Sequence, residues 1–475
     1  MVRLAAFGLL ELAVQTLGGL NSPYYANLTW QPARTFSNWA NLTVKTNTGT
    51  FIGFLNDTYP NVHQFLRIPF AQVRNQLAIA IPPIGDLRWL PPQQLPHSSK
   101  KVDSTRYGPA CPQFVASSDG MLSEYEPASL LLNIGEADNQ GATACSSAED
   151  CLSLAVWTPS YSNKTSKLPV ALFVTGGGGV TGGIEVPSQL PSHPNSKALD
   201  ETSLSLLDVR AAAEWVSDNI EAFGGDPDNI MLWGQSQGAA LTHLYTLAFP
   251  ENQLAAKFAS ISQPPSVTIN LTDTDDVYED FNIVAKGLGC NYGDDYNSEL
   301  ECLRQVSFLQ IEEYINNYNG TPSISFTNYI PDEKYIFANE TRRYISGQVA
   351  RGPPIRSDAS REMATTEEAK AMESEGEWVC TAYDDSKLRA TLGLETYRYE
   401  WAGNFSNISP VPYLGAFHWS DLLMIFGTYM VDEGLISELE RKASRDTTNK
   451  TFKPLYTIQL YRNLCSSSLG RKKNS

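Results

Sequence analysis

The chain has 475 residues, 42% hydrophobic and 18% charged, which supplies enough apolar material for a large core. Its net charge of −17 argues against nucleic acid or an anionic membrane as a partner and describes a self-repelling surface. None of its seven cysteines forms a Cys-x-x-Cys pair, which argues against a cysteine-based zinc site.

Arg3 followed by the apolar run Leu4 to Leu10, with Gly18 and Gly19 further on, predicts a secretory signal within residues 1–20, although Glu11 interrupts the run. The run is too short to span a membrane, and no other segment qualifies. Asn-x-Ser/Thr sequons begin at Asn27, Asn41, Asn56, Asn163, Asn270, Asn319, Asn339, Asn404, Asn407 and Asn449, which fits an exported glycoprotein. Export would favour disulfides, and the short spacing of Cys290 and Cys302 suits a local loop; the odd count leaves at least one cysteine unpaired.

Short strands are predicted at 42–46, 49–53 and 62–68, separated by Gly, Asn and Pro turns. Leu152–Trp157 and Val170–Val174 are the next two, and the second runs into Thr175 and the glycines 176–179. Leu206, Val209, Ala213, Val216 and Ile220 recur at spacings of three and four, the signature of an amphipathic helix that Gly224-Gly225-Asp226-Pro227 stops. Ile230–Trp233 reads as a buried strand and Phe258–Ser262 as another. An irregular aromatic region then reaches about residue 345. A helix around Cys380–Leu392 precedes the alternating strand Thr396–Trp401. Helix alternating with strand implies a mostly parallel α/β sheet, in which active residues sit at the carboxyl ends of the strands.

That is where the chemistry falls. Gly234-Gln235-Ser236-Gln237-Gly238 follows the strand Ile230–Trp233 and opens a helix at Ala239, the strand–turn–helix context of a nucleophile elbow. A serine hydroxyl needs a base within hydrogen-bond reach. Of five histidines (His63, His97, His193, His243, His418), only the last two follow the serine, as the α/β-hydrolase order requires. His243 lies on the helix leaving the elbow and reads as a satisfied helix-face residue, which leaves His418 as base. Between them, the segment 353–362 carries two acids, Asp358 and Glu362, and spacing does not choose between them. Consecutive glycines after a strand allow bare N–H groups to converge on an oxyanion, each donor contributing roughly 3–4 kcal/mol. A phosphate loop does not fit, because no Lys-Ser/Thr follows the glycines.

Gly176–Gly178, Glu149–Trp157, Phe223–Pro227, the elbow 234–238 and Phe417-His418, with Phe65–Ala71 and Gly85–Trp89 nearer the N-terminus, resemble a type-B carboxylesterase. This is the family of cholinesterases and secreted fungal lipases, and the likeness covers residues 40 to about 440. The resemblance implies a single α/β-hydrolase domain over 21–475 that hydrolyses carboxylic esters through an acyl-enzyme. It assigns Ser236 as nucleophile, Glu362 as acid, His418 as base, and Gly177, Gly178 and the N–H of Gln237 as the oxyanion hole. It also pairs Cys111 with Cys151 and Cys290 with Cys302, and sets Cys380 as half of a third bridge, with no metal or organic cofactor.

Three departures accompany the likeness. Residues 73–81 interrupt a normally continuous proline-rich segment. Residues 184–203 contain Pro187, Pro191 and Pro194 and no run of four apolar residues, so an expected interior strand of roughly five or six residues is not encoded. By the family's strand order that strand lies on the far side of the oxyanion strand from Ser236. The tail, 441–475, shows no amphipathic period, so the usual final helix is not expected. The leading expectation is a secreted serine esterase. Its rivals are an inactive or poorly folding product of exon-boundary errors or gene decay, and a non-catalytic cholinesterase-like binding protein.

Overall fold

A computed structural model describes residues 42–56, 59–72, 88–109, 111, 148–176, 196–262, 278–322, 324, 329–352, 354–359, 380–405, 408, 416, 420–427 and 437–452. The N-terminal strands are β1 (Thr43–Lys45), β2 (Thr50–Ile52), β3 (Phe54–Asn56), β4 (Tyr59–Pro69), β5 (Ala71–Gln72), β6 (Gln93–Gln94) and β7 (Lys101–Asp103). They are followed by β8 (Ser153–Pro159) and β9 (Leu168–Val174), then α1 (Leu204–Asn219), β10 (Gly225–Gln235), α2 (Gln237–Ala248) and β11 (Lys257–Ile261). Four helices come next: α3 (Glu279–Gly287), α4 (Tyr296–Gln305), α5 (Phe308–Asn317) and α6 (Glu340–Ile345). The chain continues through β12 (Pro354–Ala359), α7 (Cys380–Thr391), β13 (Tyr397–Trp401), α8 (Ser420–Phe426) and α9 (Glu438–Phe452).

Five strands form a parallel sheet in the order β13-β12-β11-β10-β9. Side chains alternate across it as strand geometry demands. Ile230, Leu232 and Phe258 join Leu206, Val209, Val216, Leu241 and Leu244 of α1 and α2 in one buried layer. Trp233, Ala259, Ile261 and Ile355 face the other way, where Ile425 of α8 closes over them. Phe173 lies 4.3 Å, centroid to centroid, from Trp233, and Phe426 covers the pair at 5.4 and 5.3 Å. The predicted helix stop is also visible. After α1 a single 3₁₀ turn, Ile220–Phe223, ends on Gly224 at φ 88°, a left-handed conformation that glycine adopts without Cβ strain.

β3, β4 and β8 form a separate antiparallel sheet. Among the described residues β9 therefore pairs only with β10, and Pro169 and Ala171 along it are exposed. This is where the sequence lacks an interior strand. Residues 73–81 and 184–195 themselves lie outside the described residues.

Two expectations need correction. The region read as irregular up to residue 345 contains α3, α4, α5 and α6, and it has its own core of Phe281, Val284, Leu300, Leu303, Ile311 and Ile315. Each helix buries only one or two turns' worth of apolar side chains, too little for a periodicity to stand out. The tail, read as aperiodic from Arg441, is helical to Phe452 in α9. Among its described side chains the buried ones are Glu440 and Ser444, four residues apart, and the Ser444 hydroxyl donates to the Met424 carbonyl of α8 at 3.0 Å. Polar side chains carry that packing, so hydrophobic spacing does not reveal it. Residues 453–475 lie outside the described set.

Candidate active site

Ser236 stands at the carboxyl end of β10 with φ 54° and ψ −127°. A non-glycine residue held there is strained by roughly 1–3 kcal/mol, a cost that persists only where surrounding structure enforces it. The enforcement is visible on both sides. From β11, the Ile261 carbonyl accepts the Ser236 N–H at 2.9 Å. From β9, the Val174 and Thr175 carbonyls crowd the turn so closely that a Cβ on Gly238 would fall 2.1 and 2.3 Å from them. A Cβ on Gly234 would meet the Gly238 carbonyl at 2.2 Å, so both elbow glycines are required sterically.

Gly176, the first of the glycine run, lies directly against the nucleophile. A Cβ there would come within 2.8 Å of the Ser236 Cβ and 2.6 Å of Gln235 Oε1. Gly177 and Gly178 lie outside the described residues. On the other flank, the Ser236 carbonyl accepts from Ala239 and Ala240 at 2.8 and 3.1 Å. The N–H groups of Gln237 and Gly238 have no acceptor among the described residues. These orphan donors at the start of α2 carry the positive end of the helix dipole, and they are suited to a developing oxyanion.

Glu362 and His418 also lie outside the described residues. The elements that deliver them do not. β12 carries the chain to Ala359, with Asp358 in its backbone, and α8 begins two residues after His418. His243 is buried on α2, with Nε2 hydrogen-bonded to Glu340 at 2.9 Å, so it occupies the satisfied role expected of it.

Sequence reasoning missed Asp421. This carboxylate on α8 is fully buried. Its Oδ1 accepts from the Ser262 hydroxyl at 3.1 Å, and its Oδ2 accepts from the Ser357 hydroxyl at 3.3 Å and the Tyr399 hydroxyl at 3.1 Å. Those partners follow β11 and belong to β12 and β13, so one side chain joins the carboxyl ends of three strands to the start of the helix after His418. Burial pushes the Asp421 carboxyl up to about 6, against the opposing pull of its hydroxyl partners. The available signal was an acid placed immediately before the apolar run Leu422–Phe426.

The expected pairs Cys111–Cys151 and Cys290–Cys302 are disulfides. Arg88 and Glu149, also in motifs that the sequence singled out, form a buried ion pair. Arg88 donates to Glu149 Oε2 at 3.0 Å and to the carbonyls of Leu303 and Val306 at 2.9 and 2.7 Å. No described helix is long and apolar enough to cross a membrane.

The "Carboxylesterase family" pattern matches residues 40–190 and 203–355, breaking at the stretch where the interior strand is not encoded. A chlorogenic acid esterase of Aspergillus niger is 35% identical over 84% of this chain and 79% of its own length. Secreted lipase 5 of Gibberella zeae is 31% identical over 85% of this chain and 83% of its own. A match on both sides of the serine elbow, joined to relatives aligned over most of their length, fixes the ancestry: the chain belongs to the carboxylesterase family and is a carboxylic ester hydrolase.

Proposed function

We propose that the chain is a secreted, glycosylated serine esterase working through a Ser236–His418–Glu362 triad. The observation that carries this reading is the Ser236 backbone, strained into an elbow between β9 and β11, with the Gln237 and Gly238 N–H groups beside it lacking an acceptor among the described residues. In the first half-reaction Ser236 Oγ bonds to the ester carbonyl carbon while His418 takes its proton, and Glu362 steadies the imidazolium. The N–H groups of Gly177, Gly178 and Gln237 hold the oxyanion. His418 returns the proton to the departing alcohol, leaving an acyl-Ser236. Water then repeats the sequence, releasing the acid and restoring the serine.

Export is supported by the apolar segment within residues 1–20 and by two disulfides, which persist in oxidising compartments. Several relatives are also named as secreted lipases. Sequon residues Asn163, Asn319, Asn339 and Asn404 are exposed. The Aspergillus niger relative is named for chlorogenic acid, so that ester heads the substrate panel, with triacylglycerols, named in a Gibberella zeae relative, as the contrast.

The test is a fluorophosphonate probe on secreted protein, read by intact mass. One adduct per molecule, lost in Ser236→Ala, is the expected result. Adduct retained by that variant would overturn the assignment of the nucleophile. That β9 pairs only with β10 among the described residues favours a second reading, an inactive or poorly folding product, which predicts no adduct or no soluble protein.

A further inference from the structure

Gln237 is more than a carrier of one N–H. Its side chain is half-buried beside Ser236, and its Nε2 donates to the hydroxyl of Tyr329, 92 residues further along the chain. Tyr329 is 2% exposed and belongs to the same buried layer as Leu241 and Leu244 of α2. Its ring is therefore fixed by packing, and its hydroxyl is a fixed point rather than a mobile one. Burial drives the phenol upward from its ordinary range, with the Gln237 hydrogen bond opposing, so the hydroxyl stays protonated wherever an esterase operates.

The location gives this bond a mechanical meaning. The Ser236 torsions are strained, and one route of relaxation is rotation about the Ser236 ψ bond, which turns the following peptide plane. That plane contains the Gln237 N–H, which has no acceptor among the described residues to resist the rotation. The Ala239 and Ala240 bonds hold the Ser236 carbonyl within the same plane from one side. A tether from the Gln237 side chain to a packed tyrosine holds it from the other.

We propose that the Gln237–Tyr329 hydrogen bond is a positioning strut that holds the 236–237 peptide so that the Gln237 N–H points at the oxyanion. The proposal rests on the serine-esterase reading above. It makes Tyr329 a positioning residue that acts through Gln237 without touching substrate. Losing an oxyanion donor outright costs about 100- to 1000-fold in kcat, so loosening one costs a fraction of that, on the order of 10-fold.

The experiment is a double-mutant cycle on Tyr329→Phe and Gln237→Leu with an activated aryl ester, each preparation normalised by active-site titration with the fluorophosphonate. The expected result is a drop of about 10-fold in kcat per titrated site for each single variant. KM should stay within twofold, and the double variant should be no worse than either single one. Unchanged kcat per titrated site in Tyr329→Phe would overturn the strut, as would losses that multiply in the double variant. A purely structural hydroxyl would lower the titratable fraction or the melting temperature and leave kcat per site alone. If Tyr329→Phe does not fold, Gln237→Leu decides by the same kcat and KM split. A parent protein that takes up no probe overturns the esterase reading and the strut together, whereas a labelled parent with insensitive variants overturns the strut alone.

Discussion

Asp421→Asn should stabilise this enzyme, and by an amount that depends on pH. The carboxyl is fully buried, and its affinity for a proton is raised to about 6 by desolvation, although three hydroxyls donate to it. In an unfolded chain the same group titrates near 3.9. Between those values the folded protein binds more protons than the unfolded one, so stability falls as pH rises through this window. The penalty is absent below about pH 4 and complete above about pH 6. Two pKa units correspond to roughly 3 kcal/mol. Asparagine keeps the shape and cannot ionise, and the Ser262, Ser357 and Tyr399 hydroxyls can each donate or accept. For a chain of this size, with an unfolding entropy near 2 cal/mol/K per residue, 3 kcal/mol moves the melting temperature by roughly 3 °C. Scanning calorimetry of both proteins from pH 4.5 to 8 should show the variant's advantage growing with pH and levelling above pH 7. A difference in melting temperature that is flat across the range would refute the buried-charge argument.

The other predictions concern packing. Gly238→Ala places a methyl 2.1 Å from the Val174 carbonyl and 2.3 Å from that of Thr175, both backbone atoms that cannot rotate away. It should cost at least ~1–3 kcal/mol and abolish probe labelling by forcing β9 from the elbow, as read by melting temperature and intact mass. Arg88→Met strands the buried Glu149 carboxylate and frees the carbonyls at the end of α4. It should destabilise by ~3–5 kcal/mol, with Arg88→Met/Glu149→Leu recovering much of the loss, as measured by denaturant unfolding.

The elbow was legible because it is local. Strand, glycine-flanked serine and helix lie within about twenty residues, and each part carries its own sequence signal. The helices after β11 were not legible for the converse reason. α4 and α5 bury the pairs Leu300/Leu303 and Ile311/Ile315, a single turn each, and long-range ties hold the region together. The Cys290–Cys302 bridge closes one end, and Arg88 reaches in from more than two hundred residues away. Asp421 escaped notice because its partners lie on three different strand ends, and only the folded sheet brings them to one carboxylate.

Among the described residues β9 has a strand partner on one side only, and this separates two properties that the family pattern normally joins, the geometry of the nucleophile and the stability of the sheet. Among the described residues, the backbone atoms that crowd or bond the elbow come from immediate neighbours. Val174 and Thr175 stand at the end of β9, Ile261 at the end of β11, and Ala239 and Ala240 in the first turn of α2. None of these contacts passes through a strand beyond β9. If no strand covers that side of β9, where Pro169 and Ala171 are exposed, apolar burial is lost and the fold as a whole is weaker, while the elbow's local constraints stay in place. The consequence is measurable in mild denaturant. As the folded fraction declines, the fraction that takes up a fluorophosphonate should decline with it in proportion, because each molecule still folded retains a complete elbow. Labelling that vanishes while tryptophan fluorescence still reports native packing would mean that the elbow depends on the far edge of the sheet after all.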